Sequence, residues 1–355
     1  AKLGGIGVIH RSLSLEEQAF NVAKVKHNLN GLIEKPIYIY EDERVDSVLA
    51  RREEKKYSFH SFPVLNRGGK LVGIVTENDF GFCEDVSLSV GKIMSTELLV
   101  APEGTTIDEA YELMRIRKKK VVPLVNEENI ISGMYVFSDV RRIKTRSAEG
   151  YNVDSKGQLR VAAAVGTGQE ALDRVARLSE KNVDVIVIDT AHGDSKPVIE
   201  TLKEIKRDYS LDVVVGNVSV GDSARRLVDA GADGIKVGQG PGSICTTRII
   251  AGVGRPQLSA IYDCAKAIEC YGIPICADGG LRSSGDIPIA IAAGAHYVMM
   301  GSMLAGTEEA PGETVYVEGR QWKNYRGMGS LGAMETSKSS RERYLQEKTS
   351  AGIYF

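Results

Sequence analysis

Cysteine is scarce in this 355-residue chain and comes in an odd number. The five stand at positions 83, 245, 264, 270 and 276, and none forms a C-x-x-C pair. That disfavours a disulfide framework and a zinc ribbon and fits a reducing compartment, so a cytoplasmic protein is expected. The five histidines, at 10, 27, 60, 192 and 296, lack the spacing of a metal triad. No charge of one sign dominates: 45 Lys and Arg stand against 47 Asp and Glu, a net charge of −2. There is therefore no strong signal for nucleic-acid binding, which needs a basic face. No run of about 18 apolar residues is present, so no membrane-spanning helix is expected. The start, Ala1-Lys2-Leu3-Gly4-Gly5, does not read as a signal peptide. With 43% hydrophobic residues and almost no net charge, disorder is excluded.

Glycine is in excess, 38 residues where the usual share of about 7% would give about 25. The glycines follow no three-residue period, which excludes a collagen-like chain. Length suggests about two domains. From residue 158 onward, apolar runs at 159–166, 183–191, 213–218, 234–240, 273–280 and 297–302 alternate with amphipathic stretches at 169–181, 196–209, 221–230, 257–271 and 284–293. The runs are apolar on both faces, as buried parallel strands are. Gly231 and Gly294 sit where helices end. These six β-then-α units become seven with 5–10 and 14–28. A doubly wound sheet could hold seven, but glycine-bearing loops after almost every strand suit an α/β fold of the (β/α)8 TIM-barrel type.

The rhythm breaks at residues 31–145, where segments 35–79 and 88–139 resemble each other. Each has an amphipathic helix, at 44–55 and 106–118. Each then has a strand with a proline, Pro63 or Pro123, 60 residues apart. A glycine enters the next strand, Gly73 or Gly133, and an aspartate, Asp79 or Asp139, starts the following helix. This reads as a tandem repeat inserted between barrel strands. It resembles a pair of CBS domains, a Bateman module, which implies regulation by adenine or guanine nucleotides. The plainer reading is a structural insert without ligand. The expected domains are 1–30 (first part of the barrel), 31–145 (insert) and 146–355 (remainder, with a mobile flap near 313–355).

The densest chemical signal runs from Lys236 to Arg248, with Gly238, Gly240 and Gly242 in five residues and Cys245 closing the loop. It follows a strand, where barrel active sites sit. Glycines let the backbone approach a ligand or ion, and exposed amides can lower a thiol pKa, so Cys245 is the candidate nucleophile. The other four cysteines lie in helix or strand patterns and are expected to be buried and inert. Asp278-Gly279-Gly280 and Gly301-Ser302 follow later strands; their amides, with the hydroxyls of Ser243 and Ser302, can cradle a monophosphate. Asp278 suits ribose hydroxyls or, more plainly, a helix N-cap. Asp189 and Asn217 end two further strands, and His192 follows as a possible base or metal ligand. Gly327-Met328-Gly329-Ser330-Leu331-Gly332 matches G-x-G-x-x-G, but the polar residues 321–326 offer no apolar strand before it, so a Rossmann site is not expected. Arg343-Tyr344 reads by composition as a solvated pair.

Together, the stretch Gly238 to Arg248, Ala277 to Gly280, Thr307 to Gly312 and Tyr325 to Ser330 closely resemble the IMP dehydrogenase / GMP reductase family. The resemblance implies that Cys245 attacks C2 of a purine nucleoside monophosphate while hydride passes to NAD, and that Thr247 assists proton movement. It implies that Arg343 and Tyr344 on a mobile flap activate the hydrolytic water. It places the nucleotide on Ser243, Asp278, Gly280, Gly301, Ser302, Tyr325, Met328 and Gly329. It places the nicotinamide side near Asp189, Asn217, Gly238 and Gly240, and a potassium ion on carbonyls of Gly240, Gly242 and Cys245. A homo-tetramer, or an octamer through the CBS modules, is implied as well. Arg343-Tyr344, the 309–312 stretch and Tyr325-Arg326-Gly327 favour a dehydrogenase making XMP from IMP. The alternative is a reductase using NADPH on GMP, in which Thr247 and Glu309 would help deamination. Gln239, where an aliphatic residue is usual, is a departure. A non-catalytic nucleotide-binding regulator would be expected to have lost the nucleophile or the phosphate loops, and both are intact. Removing the 115-residue insert leaves 240 residues but only seven units, so the numbered chain is expected to be part of a longer enzyme.

Overall fold

The computed structural model describes residues 1–28, 31–55, 57, 61–144 and 150–325. They fall into two compact units, Ala1–Gly5 with Val25–Arg160, and Ile6–Lys24 with the chain from Val161 on.

The chain opens with strand β1 (Gly7–Ile9) and helix α1 (Leu15–Lys26). Two modules of the same topology follow. The first comprises β2 (Ile39–Tyr40), α2 (Val45–Glu54), β3 (Phe62–Leu65), β4 (Leu71–Val75) and α3 (Glu77–Gly81). The second comprises β5 (Ala101–Pro102), α4 (Ile107–Arg117), β6 (Val121–Val125), β7 (Ile131–Val136) and α5 (Phe137–Lys144). In each, the short strand runs parallel to the middle strand, and the third is antiparallel to it. The prolines occupy matching places, Pro63 opposite Ile74 and Pro123 opposite Met134, and in both copies the register slips near the end of the middle strand. Proline withholds a ladder donor, so it is tolerated where pairing is already irregular. Each module has its own apolar cluster, around Phe62, Val64 and Phe80 in one and Met114, Leu124 and Tyr135 in the other. Asn129, at φ 63°, joins them: its N–H₂ donates to Leu71 O at 2.8 Å, and Leu71 N donates back to Asn129 O at 3.0 Å.

The second unit continues with β8 (Val161–Val165), α6 (Gln169–Ser179), β9 (Val185–Asp189), α7 (Lys196–Asp208), β10 (Asp212–Val218), α8 (Gly221–Asp229), β11 (Gly234–Val237), α9 (Thr247–Ala251), α10 (Gln257–Ala267), β12 (Ile275–Asp278), α11 (Asp286–Ala292), β13 (Tyr297–Met299) and α12 (Ser302–Ala305). Strands β1 and β8 to β13 form one seven-stranded, all-parallel sheet in strict sequence order. A doubly wound sheet would reverse that order at a switch point, and this one does not. The strands are short and buried: β8 and β11 are covered throughout. The helices cover them with one stripe each, as α7 does with Val198, Leu202 and Ile205. Each such side chain contributes about 1.5–3 kcal/mol on burial. A hairpin, β14 (Thr314–Val317) and β15 (Arg320–Lys323), closes the described chain, turning at Glu318 and Gly319, both at positive φ. The strand that stands ahead of the G-x-G-x-x-G stretch is polar and largely exposed, so no apolar strand precedes it, in line with the sequence reading. It belongs to an antiparallel ribbon, so the strand–turn–helix context of a dinucleotide fold is still missing.

Helices α8 and α10 approach closely because Gly221 has no side chain. A Cβ there would lie 2.6 Å from Ala267 Cβ and 2.9 Å from Asp263 O. Asp263 also caps α8, accepting from Gly221 N at 2.8 Å and from Arg255 Nη1 at 2.9 Å. The backbone bond from Gly221, with Arg255, holds that carboxyl below the usual carboxylate range. Gly221→Ala is expected to destabilise by about 1–3 kcal/mol through overpacking, read as a lower midpoint in thermal or urea unfolding.

Candidate active site

The chemistry-bearing residues gather at the carboxyl ends of β9 to β13. Gly216 pairs with both Asp189 and Lys236, and Asp278 with Met299, so neighbouring strands deliver their polar ends side by side. Lys236 is the hub. Its side chain is 3% exposed, yet it carries a charge. Its ammonium donates to Asp189 Oδ1 at 2.9 Å, to Asp278 Oδ2 at 2.5 Å and to Asn217 Oδ1. Three N–H groups meet three acceptors from three strands, which is the full capacity of a lysine. The Asn217 amide donates in turn to Gly238 O at 2.6 Å and Asp278 Oδ2 at 2.8 Å. Asp278, expected as a ribose partner or helix cap, thus reaches into this network.

The glycine loop is set against that network. A Cβ on Gly238 would fall 2.2 Å from Asp278 O and 2.8 Å from the Gln257 amide. Gln257 Nε2 donates to Val237 O at 2.9 Å and Asp278 O at 3.2 Å. Gly279 and Gly280, both at φ 82°, lie against Pro241, so the phosphate-type loop and the cysteine loop touch. Cys245 N–H donates to Gly242 O at 3.0 Å, closing the turn. The Cys245 thiol donates to Thr247 Oγ1 at 3.2 Å, at the start of α9. Arg248 Nε holds Gln239 O at 2.9 Å. The Gln239 side chain accepts from Ser219 Oγ at 2.6 Å and donates to Ala191 O at 3.1 Å, tying the loops after β9 and β10 to the cysteine loop. An aliphatic residue could make neither bond.

Ser243 is exposed in the cysteine loop, and Gly301 and Ser302 are exposed where α12 begins. Tyr325 is brought to Gly301: a Cβ there would be 2.5 Å from Tyr325 Oη. Burial and the nearby Asp278 charge hold the Tyr325 hydroxyl above its usual range. Ser243 and Cys245, with Thr247 at the start of α9, thus belong to a loop in contact with the one that carries Gly280 after Asp278 at the end of β12, with Gly301, Ser302 and Tyr325 forming the neighbouring edge. Met328, Gly329, Arg343 and Tyr344 lie outside the described residues, as does His60. His192 is exposed, and the described residues hold no cluster of three metal-binding side chains.

Of the other cysteines, Cys264 and Cys276 are buried as expected, and burial pushes both thiols up to about 12. Cys270 is exposed and Cys83 only partly covered, against expectation. A short 3-10 turn after α10 (Glu269–Tyr271) carries Cys270 outward. Lys236 and Gln257 were missed as site residues. Lys236 had a signal, a lone charge inside an apolar strand; Gln257 at the start of a helix had none.

A profile of the IMP dehydrogenase / GMP reductase domain matches residues 1–354. The inosine-5'-monophosphate dehydrogenase of Aquifex aeolicus is 51% identical over 352 residues, 98% of this chain and 71% of that protein. That of Bacillus subtilis is 46% identical over 352 residues, again 98% and 71%. The crystal structure of a GMP reductase from Trypanosoma brucei with guanosine 5'-monophosphate superposes with a TM-score of 0.86 at 38% identity, covering 98% of this chain and 74% of that one.

Lys236→Met is expected to cost about 3 kcal/mol in urea unfolding, because two carboxylates lose their shared cation. In native protein near pH 8, iodoacetamide should label Cys245 and Cys270 well before Cys264 and Cys276, as peptide mass mapping would show. A thiol titrating near 12 is almost all protonated there and unreactive.

Proposed function

The chain belongs to the IMP dehydrogenase / GMP reductase family, and from that premise we propose that it oxidises IMP to XMP with NAD through a covalent adduct on Cys245. The observation that carries the reading is the Cys245 loop seated against the Asp278–Gly280 loop, with Thr247 bonded to the thiol. The Cys245 sulfur forms a bond to C2 of the purine as a hydride leaves C2. The thiol proton leaves along its contact with Thr247. Water then attacks C2, the C–S bond breaks, and XMP and the free cysteine result. Arg343 and Tyr344 are proposed to activate that water.

The substrate is held by the hydroxyls of Ser243 and Ser302 and the backbone of Gly280 and Gly301. Asp278 takes the ribose, and Tyr325, Met328 and Gly329 take the base side. Asp189, Asn217, Gly238 and Gly240 are assigned to the nicotinamide side: a carboxylate and an amide at neighbouring strand ends stand beside the glycine loop, with the Asn217 amide bonded to Gly238 O. NAD supplies the hydride acceptor when bound. The turn closed by Cys245 N–H brings the carbonyls of Gly240, Gly242 and Cys245 into one short segment, which supports a potassium ion there. We read the parallel sheet as part of a (β/α)8 barrel, and the two modules of residues 31–145 as a CBS pair binding adenine or guanine nucleotides. A cytoplasmic homo-tetramer, or an octamer through those modules, completes the reading.

The reductase alternative has one observation in its favour, the likeness to the Trypanosoma brucei GMP reductases. An absorbance assay at the NADH band separates the two. NADH is expected to appear with IMP and NAD, and Cys245→Ala is expected to lower kcat by about a thousandfold or more. Consumption of NADPH with GMP, and no reaction with IMP, would overturn the choice.

A further inference from the structure

The stretch Thr307 to Gly312, prominent in the sequence, has no part in the dehydrogenase chemistry proposed above, and the structure shows what it meets. The Lys323 ammonium, at the end of β15, donates to Thr307 O at 2.6 Å, Glu308 O at 2.9 Å and Ala310 O at 2.5 Å. All three N–H bonds are used, and all three acceptors are backbone carbonyls of one turn. The segment wraps further: Asn324 N donates to Glu313 O at 3.1 Å, and a Cβ on Gly312, at φ 132°, would fall 2.6 Å from Asn324 O. Two residues beyond Lys323 comes Tyr325, whose hydroxyl rests against Gly301 and in the field of Asp278.

We propose that Lys323 is a positioning residue, a tethered cation that occupies the carbonyl turn at Thr307–Ala310 and thereby docks the β14–β15 hairpin so that Tyr325 faces the substrate pocket. Charge-assisted bonds to carbonyls are stronger than neutral ones, and three directed to one turn fix both distance and orientation. Ordinary hairpin pairing cannot do this, because a two-stranded ribbon is marginally stable alone. The inference rests on the nucleotide reading of the site only for Tyr325's ligand; the docking itself does not depend on it.

The chain has one tryptophan, Trp322, next to Lys323 and 56% exposed, so a change in its emission or quenching reports a change in the hairpin's surroundings without any turnover. In Lys323→Ala, Trp322 emission is expected to move to the red and acrylamide quenching to rise about twofold. The KM for the nucleotide should rise about tenfold, with kcat within about threefold. Ethylammonium, which can enter the vacated turn and donate N–H bonds, should restore both; tetramethylammonium, equally charged but without donors, should not. Lys323→Met, which keeps the apolar stem, guards against a simple folding failure and should behave as Lys323→Ala does. Unchanged Trp322 emission and quenching in both variants would overturn the proposal, as would equal rescue by the two amines. If even the wild type turned over neither IMP nor GMP, the functional reading would fall, while fluorescence and amine rescue would still decide the role of Lys323.

Discussion

A positive charge buried at the strand ends organises everything around it. Lys236 lies on a strand that is covered on both faces, where an unpaired ammonium would be intolerable. It is tolerated because Asp189, Asn217 and Asp278, from three different strands, converge on it. The constraint is mutual. Each carboxylate would be costly without the lysine, and the asparagine amide locks two of the partners together. The register of β9 to β12 is thereby fixed at the end where loops must meet a ligand. Gly238 follows directly, and it must lack a side chain because Asp278 O and Gln257 occupy the space.

Lys323 uses the same capacity, three N–H groups on three oxygens, in a different electrostatic setting. Lys236 is balanced by two carboxylates, whereas among the described residues Lys323 is met by carbonyl dipoles. The first arrangement secures strand ends that are already held by a sheet. The second secures a two-stranded ribbon, which is marginally stable alone. Asp278 and Tyr325 connect the two settings: the Tyr325 hydroxyl rests against Gly301 and feels the Asp278 charge.

Much of this was legible beforehand. Parallel strands buried on both faces are continuous apolar runs, so 183–191 and 213–218 announced β9 and β10, which carry Asp189 and Asn217 at their carboxyl ends. The repeat was legible from Pro63 and Pro123 and the glycines that follow, because proline and glycine report backbone requirements directly. The Cys245 loop stood out because glycine density marks backbone exposed to a ligand. Lys236 was visible only as an oddity, since its three partners are distant in sequence. Gln257 gave no sign: an amide at a helix start is common, and its bonds run to backbone atoms of other elements. Cys270 was misplaced because a helical pattern does not reveal that the last turn tightens and rotates the side chain outward.

Local residue chemistry therefore determined by itself the α/β alternation, the inserted repeat, the candidate nucleophile and the glycine loops. These depend on periodicity, turn preference and backbone freedom, all of which are properties of neighbouring residues. Tertiary structure alone decided that Asp278 and Asp189 share one lysine, that Gln239 bridges two loops, and that Lys323 fills a turn of carbonyls. A polar group's partner is set by which strand ends lie beside it in space, and no local pattern encodes that distance.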